Sequence, residues 1–386
     1  MNFLLDESWQ DIKEIAIYGF GKAAQGNIDS FIDQFNVINI IDNNKSYLGK
    51  DYRGVSIVNF DTWINDNCGE KIIIIAAGKA LHSIKSTLCM AGKKEYIDFT
   101  DMDAFVNEWY WRFKGKICIG KVTTSVTTAC TFNCQYCNML MPYYKETKAY
   151  SCEMLCKDAD MFFTLVDYVT SFVIIGGEPL IYKNLCSYLE YLGNRYGSRI
   201  ANIQLITNGS ILPSKELLNI VQKYNIEIRI SDYTLTMPYE SRLKKFVDML
   251  ENNQIKYIVF KQEEWLDFGF PHEKISMGET KEELREHMLN CHGMCHWLHN
   301  GKYYYCSSAW SANECGIFEL QEGDYLRLDE LVKTPLEGKE ALLKFHIGEL
   351  QHGYMSLCKY CRGFGDANNK TVKAGIQIKR EGKSGK

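Results

Sequence analysis

Short apolar runs alternate with longer stretches whose apolar residues recur every three or four positions. Near the N-terminus, residues 15–18, 37–41 and 72–77 read as apolar strands, the last closed by Gly78, and residues 22–34 read as a helix. Such alternation predicts a parallel, doubly wound sheet over residues 1–100. Residues 101–116 carry Phe105, Trp109, Tyr110, Trp111 and Phe113, a connector that packs rather than floats. A second series starts near residue 117. Strands are expected at 122–128, 171–175, 203–207, 226–231 and 255–260, with helices at 185–196, 214–224 and 240–252. Ser214 can cap its helix, and Leu217, Leu218, Val221 and Tyr224 fall on one face. Five or six βα units in a row predict a barrel, open or closed, over residues 117–280. Residues 281–368 break into short aromatic pieces bearing cysteines, a small α+β domain in which residues 301–306 read as a hairpin arm. The end, 369–386, has six basic residues against one acid and is expected to be a solvated, frayed tail.

Composition narrows the function by exclusion. A net charge of −4 offers no basic excess for nucleic acid. No apolar run is long enough to span a bilayer, and the acidic N-terminus lacks a signal pattern, so a cytoplasmic protein without a membrane partner is expected. Fifteen cysteines are too many for an ordinary reducing-compartment chain. Metal or cluster ligation accounts for them better than a disulfide framework. Cys130, Cys134 and Cys137 form one knot, Cys291, Cys295, Cys306 and Cys315 a second, and Cys358 with Cys361 a third. Cys68, Cys89, Cys118, Cys152, Cys156 and Cys186 read as small buried hydrophobes.

Three thiolates within eight residues can hold three irons of a 4Fe–4S cluster and leave the fourth iron open, a catalytic feature. The spacing C-x3-C-x2-C, with Tyr136 before the last cysteine, resembles the radical S-adenosylmethionine (SAM) superfamily, and Gly176-Gly177-Glu178-Pro179 follows at the end of the next predicted strand. The bland alternative is a zinc knuckle completed by Cys152 or Cys156. The resemblance implies that the Gly-Gly-Glu-Pro turn meets the methionine amine of SAM, Glu178 supplying the opposite charge. It implies contacts to the carboxylate and ribose from Asn208 and Ser231 at later strand ends, Asp232 being a weaker candidate. It also implies a low-potential electron donor such as flavodoxin or ferredoxin.

Cys291-x9-Gly301-x4-Cys306 and Cys358-x2-Cys361 resemble the SPASM and shorter twitch domains. That resemblance implies an auxiliary 4Fe–4S cluster on Cys291, Cys306, Cys358 and Cys361. Cys295 and Cys315 stay unassigned, and zinc is the rival because His292, His296 and His299 lie among the cysteines. Gly19-x-Gly21-x-x-Ala24, with Asp42 following, matches a dinucleotide fingerprint, its rival being a degenerate domain used for packing. Together the resemblances imply an oxidoreductase acting on a sugar, cyclitol or nucleotide-linked sugar. A peptide substrate is the alternative, and a non-catalytic iron–sulfur or zinc protein the reading of another class. No base is legible, and Glu264, Trp265 and Asp267 are only neighbours of the site.

Overall fold

The computed structural model describes residues 4–21, 25–66, 70–75, 79–291, 295–365 and 368–379. Ala24, Cys68, Gly78, His292 and the last seven residues therefore lie outside the described residues. The chain divides into two compact units, Met1–Gly120 and Lys121–Lys386.

The first unit runs β1 (Glu14–Tyr18), α1 (Gln25–Gln34), β2 (Asn36–Ile41), β3 (Asp51–Tyr52), β4 (Val55–Val58), α2 (Phe60–Asn65), β5 (Lys71–Ile74), α3 (Lys79–Met90), β6 (Phe99–Asp101) and α4 (Met102–Lys114). Its sheet has the order β3-β4-β2-β1-β5-β6, with β1 parallel to both β2 and β5. The expected connector is instead β6 and α4. Asp101 caps α4 by accepting from Ala104 N, and Gly115, at φ 62°, ends it in the left-handed conformation. Its aromatics are core material: Phe105 stacks on Trp109 at 5.3 Å, and both rings meet Phe35.

The second unit begins within β7 (Cys118–Ser125) and continues α5 (Cys152–Leu165), β8 (Tyr168–Ile175), α6 (Leu185–Tyr196), β9 (Ile200–Thr207), α7 (Lys215–Lys223), β10 (Glu227–Asp232), α8 (Glu240–Asn252) and β11 (Tyr257–Lys261). Apolar β-branched strands covered by amphipathic helices give the βα series, in the spatial order β11-β10-β9-β8-β7. Neighbours β8–β9, β9–β10 and β10–β11 are parallel. The resulting α/β sheet is a partial barrel whose strand ends carry the polar residues singled out above.

Beyond it come β12 (Glu264–Leu266), α9 (Lys281–Leu289), β13 (Trp297–His299), β14 (Lys302–Tyr304), α10 (Ser307–Glu314), β15 (Tyr325–Arg327), α11 (Leu328–Leu331), α12 (Pro335–His346) and β16 (Thr371–Lys373). The cysteine-rich segment does not stand apart from the barrel. β13 lies parallel to β7, so the hairpin β13–β14 and then β15 extend the barrel sheet at its first-strand edge. Asn300 and Gly301, at φ 48° and 70°, make the two-residue turn of that hairpin. The Asp158 carboxylate on α5 accepts both their backbone N–H groups at 2.6 Å.

The tail also departs from expectation. Residues 371–373 pair antiparallel with β12, and the segment after them runs along the first cysteine knot. Backbone pairing orders it despite its polar composition. Among the described residues no helix is long and apolar enough to cross a membrane.

Candidate functional site

The loop after β7 carries the first knot. Gly177 N donates to Thr127 O at 2.8 Å and Glu178 N to Ala129 O at 2.8 Å, so the Gly-Gly-Glu turn lies along that loop. A Cβ on Gly177 would sit 2.3 Å from Ala129 O, and one on Gly176 2.6 Å from Thr127 O. The glycines are thus required by contact between two loops, whatever a ligand adds.

Glu178 has structural partners of its own. Its side chain is fully buried and its oxygens accept from Thr207 Oγ1 (2.7 Å), Asn208 N (2.8 Å) and Leu180 N (3.1 Å). Burial pushes its carboxyl up to about 7, opposed by these donors. Gly176 and Gly177 line the main cavity, whereas Glu178 is not among the lining residues. The carboxylate holds the end of β9 in place and does not face the cavity.

That cavity, of about 480 Å³, joins the two halves of the cysteine set. Its wall includes Cys130, Cys134 and Cys137 of the first group together with Cys291, Cys295, Cys306 and Cys361. Tyr136, Asn208 and Ser231 also line it, with Tyr233 and Trp265 packed edge to face at 5.5 Å. Asn208 Nδ2 donates to Thr131 Oγ1 at 3.0 Å, tying a strand end to the cysteine loop. Asp232 is buried and accepts from Thr234 N, a turn contact.

Burial pushes the Cys130 thiol up to about 12, with Glu178, Cys137 and Cys134 adding to it, and the Cys134 thiol up to about 11. Cys137 is raised by burial too, although the backbone N–H groups of Met141, Met139 and Leu140 favour its thiolate. In the second group Cys358 is pushed far up by burial and by the charges of Cys306, Cys361 and Cys291. Cys361 rises to about 12 and Cys306 to about 11, again mainly by burial. Two convergent groups of desolvated thiols become stable thiolates only against compensating positive metal charge.

Tetrahedral zinc, with Zn–S near 2.3 Å, would draw its sulfurs to about 3.8 Å of one another. No three thiols among the described residues lie within 4.8 Å of one another. His296 and His299 do not complete a zinc set either. Burial holds both nitrogen rings neutral, to about 3 and about 4, and His296 stacks on His346 at 3.9 Å.

The leftover cysteines separate. Cys315 is buried at the end of α10, its Sγ donating to Ala312 O at 3.5 Å. Cys295 lines the cavity, 3.6 Å from Lys121 Nζ. Cys152 and Cys156 face each other across one turn of α5 at 3.9 Å. Lys121 was missed by sequence reasoning, and it is the only charged residue in the cavity wall among the described residues. Its signal was a lone lysine in the otherwise apolar and hydroxylic strand β7.

Of the neighbours, Trp265 lines the cavity and Glu264 is exposed on β12. Asp267 is buried, paired with His272 Nε2 (2.9 Å) and Arg362 Nη1 (3.4 Å). Arg362 also pairs with Glu273, and the His272 ring meets Tyr136 edge-on at 4.8 Å.

In the first unit, Gly19 has φ 113° and its N–H donates to Ile41 O. Gly21 has open space where a Cβ would point. Both oxygens of Asp42 are occupied, accepting from Phe20 N (2.7 Å) and Asn44 N (2.8 Å). Phe20 is buried against Tyr47 and Tyr52. Asp42 therefore braces its own loop, an arrangement that favours packing over ribose recognition.

Comparison with known proteins bears on the barrel. Over 89 residues the chain is 40% identical to GTP 3′,8-cyclase of Ectopseudomonas mendocina and 34% identical to that of Rhizobium etli. The match takes in 23% of this chain and about a quarter of those relatives (26% and 25%). Among solved structures, anSMEcpe with bound AdoMet and Cp18Cys peptide aligns at TM-score 0.39 and 10% identity, covering 67% of this chain and 93% of that one. BtrN in complex with AdoMet and 2-DOIA aligns at TM-score 0.38 and 12% identity, covering 67% and 95%. Residues 124–247, holding the first knot and the Gly-Gly-Glu-Pro turn, match the family model described as Radical SAM superfamily. That match covers about a third of the chain, from within β7 into α8, and the family it names uses a 4Fe–4S cluster and S-adenosylmethionine.

Proposed function

We propose that this chain is a radical SAM oxidoreductase that removes a hydrogen atom from a C–H bond of an anionic, sugar-like small molecule and passes the remaining electron to an auxiliary 4Fe–4S cluster. The observation that carries this reading is one cavity of about 480 Å³ whose wall includes cysteines of both groups. When bound, the cofactors would supply a 5′-deoxyadenosyl radical and an electron acceptor to that cavity. Cys130, Cys134 and Cys137 would hold the first cluster, and Cys291, Cys306, Cys358 and Cys361 the second. Gly176, Gly177, Asn208 and Ser231 would border SAM, with Glu178 keeping the Asn208 strand end in register.

Lys121 favours the substrate class. A lone ammonium in a cavity whose wall holds no carboxylate among the described residues suits a phosphate or carboxylate, as on a nucleotide-linked sugar. The aromatic side chains of Phe132, Tyr233 and Trp265 would keep water from the reacting carbon. Flavodoxin or ferredoxin is the expected source of the priming electron.

The test is anaerobic reconstitution with iron, sulfide, SAM and a reductant. Release of 5′-deoxyadenosine that accelerates with a nucleotide-linked sugar, accompanied by substrate oxidation, is the expected result. Cleavage stimulated only by peptides would replace the substrate class. Absence of cleavage from cluster-loaded protein would leave a non-catalytic iron–sulfur protein.

A further inference from the structure

We propose that the C-terminal strap, residues 374–378, raises the reduction potential of the cluster held by Cys130, Cys134 and Cys137 through one hydrogen bond, from the Gln377 amide to Cys134. The inference rests on the cluster reading above. It concerns a segment that neither the family match nor the motifs touch.

Gln377 Nε2 lies 3.1 Å from Cys134 Sγ, although 243 residues separate them. The same nitrogen donates to Gly375 O at 2.8 Å, and Oε1 accepts from Asn133 N at 2.6 Å. All three contacts agree on one orientation. A flipped amide would set its oxygen against the sulfur and the Gly375 carbonyl, and its NH2 against the Asn133 N–H. The backbone pins the residue on either side, with Gln135 N donating to Ile376 O (2.8 Å) and Ile378 N to Asn133 O (3.0 Å).

Upstream, Thr236 Oγ1 donates to Ala374 O at 2.9 Å. Gly375 turns at φ 73°, and a Cβ there would fall 2.6 Å from Thr236 Oγ1. The strap is therefore a built feature that delivers one donor to one sulfur. Cys134 is only 7% exposed, so water offers little competing donation to it.

A hydrogen bond to a ligating sulfur withdraws electron density and stabilises the reduced, more negative cluster, so cluster potentials depend on such bonds. Gln377 is a positioning residue of this kind and does not touch the reacting atoms. Gln377→Met keeps length and removes both donors. Gln377→Glu keeps an acceptor for Asn133 N while removing donation to sulfur.

The experiment is a redox titration of anaerobically loaded full-length protein followed by electron paramagnetic resonance, with iron and sulfide counted beside it. The signal that changes when SAM is added identifies this cluster. Both variants should hold wild-type iron and show a midpoint shifted to more negative potential. An unmoved midpoint with full iron would overturn the proposal. So would loss of iron from both variants, which would make the amide a structural strut. A wild type with no SAM-responsive signal would instead defeat the cluster reading itself, so the two failures are told apart.

Discussion

Glu178 accepts the backbone N–H of Asn208 at 2.8 Å from a position wholly shielded from solvent. The brace leads us to expect that this carboxylate acts on SAM through Asn208 and the adjoining loop rather than by meeting the methionine amine. Glu178→Gln keeps Oε1 for Asn208 and can donate to Thr207 Oγ1, losing the Leu180 contact. Its affinity for SAM should stay within about threefold of wild type, whereas loss of a direct charge pair would cost about tenfold or more. Glu178→Ala strands three donors and should lower stability by about 2–4 kcal/mol. Calorimetric titration with SAM beside thermal melts of the same proteins checks both figures.

The asymmetry between Cys315 and Cys358 gives an iron-counting prediction. Cys315 donates within its own helix end, while Cys358 sits in the charge field of Cys306, Cys361 and Cys291. Cys315→Ser should keep wild-type iron. Cys358→Ala should lose roughly four irons per chain, still release 5′-deoxyadenosine, and form little oxidised product. Equal iron in the two variants would remove Cys358 from the ligand set.

Lys121 can be tested by splitting kinetic constants. A charge-assisted contact contributes about 1.5–3 kcal/mol, so Lys121→Met should raise KM for an anionic substrate about 10- to 100-fold. Substrate-free cleavage of SAM should be unchanged. A neutral analogue turned over equally by both proteins would strengthen the assignment, and an unchanged KM for the anion would refute it.

The sequence disclosed different parts of this molecule with different force. The barrel strands were legible because apolar runs and helical faces are local properties, and the knot because cluster ligation demands close spacing. Convergence of Cys291 and Cys306 with Cys358 and Cys361 depended on a resemblance, since no local rule brings residues 50 or more apart together. Two features were illegible in principle. Lys121 stood out as a lone lysine in its strand, but only the direction in which it points places it in the cavity. The 371–378 segment, β16 and the strap, looks like a tail because its order comes from pairing with Trp265 and Asn133, far upstream. The hydrogen bonds of the Glu178 turn were hidden for a related reason. A carboxylate beside two glycines suggests a ligand contact, and only the hydrogen bonds of β9 reveal a brace.

The hairpin that joins the cysteine-rich segment to the barrel should respond to pH through Asp158. Burial pushes this carboxyl up from 3.8 to about 6, against the lowering effect of the Gly301 and Asn300 N–H groups. A carboxyl raised in the folded state favours folding most below its unfolded value and loses that contribution as pH rises through the folded value. At about 1.36 kcal/mol per unit, wild type should lose on the order of 3 kcal/mol relative to Asp158→Asn between pH 4 and pH 7. The asparagine variant cannot titrate, and its amide sets an NH2 against one of the two turn donors. It should therefore be less stable than wild type at the acidic end, with the gap narrowing toward neutrality. Urea unfolding of both reduced apo proteins across that range measures the difference. A gap independent of pH would mean that Asp158 holds the turn without changing its protonation.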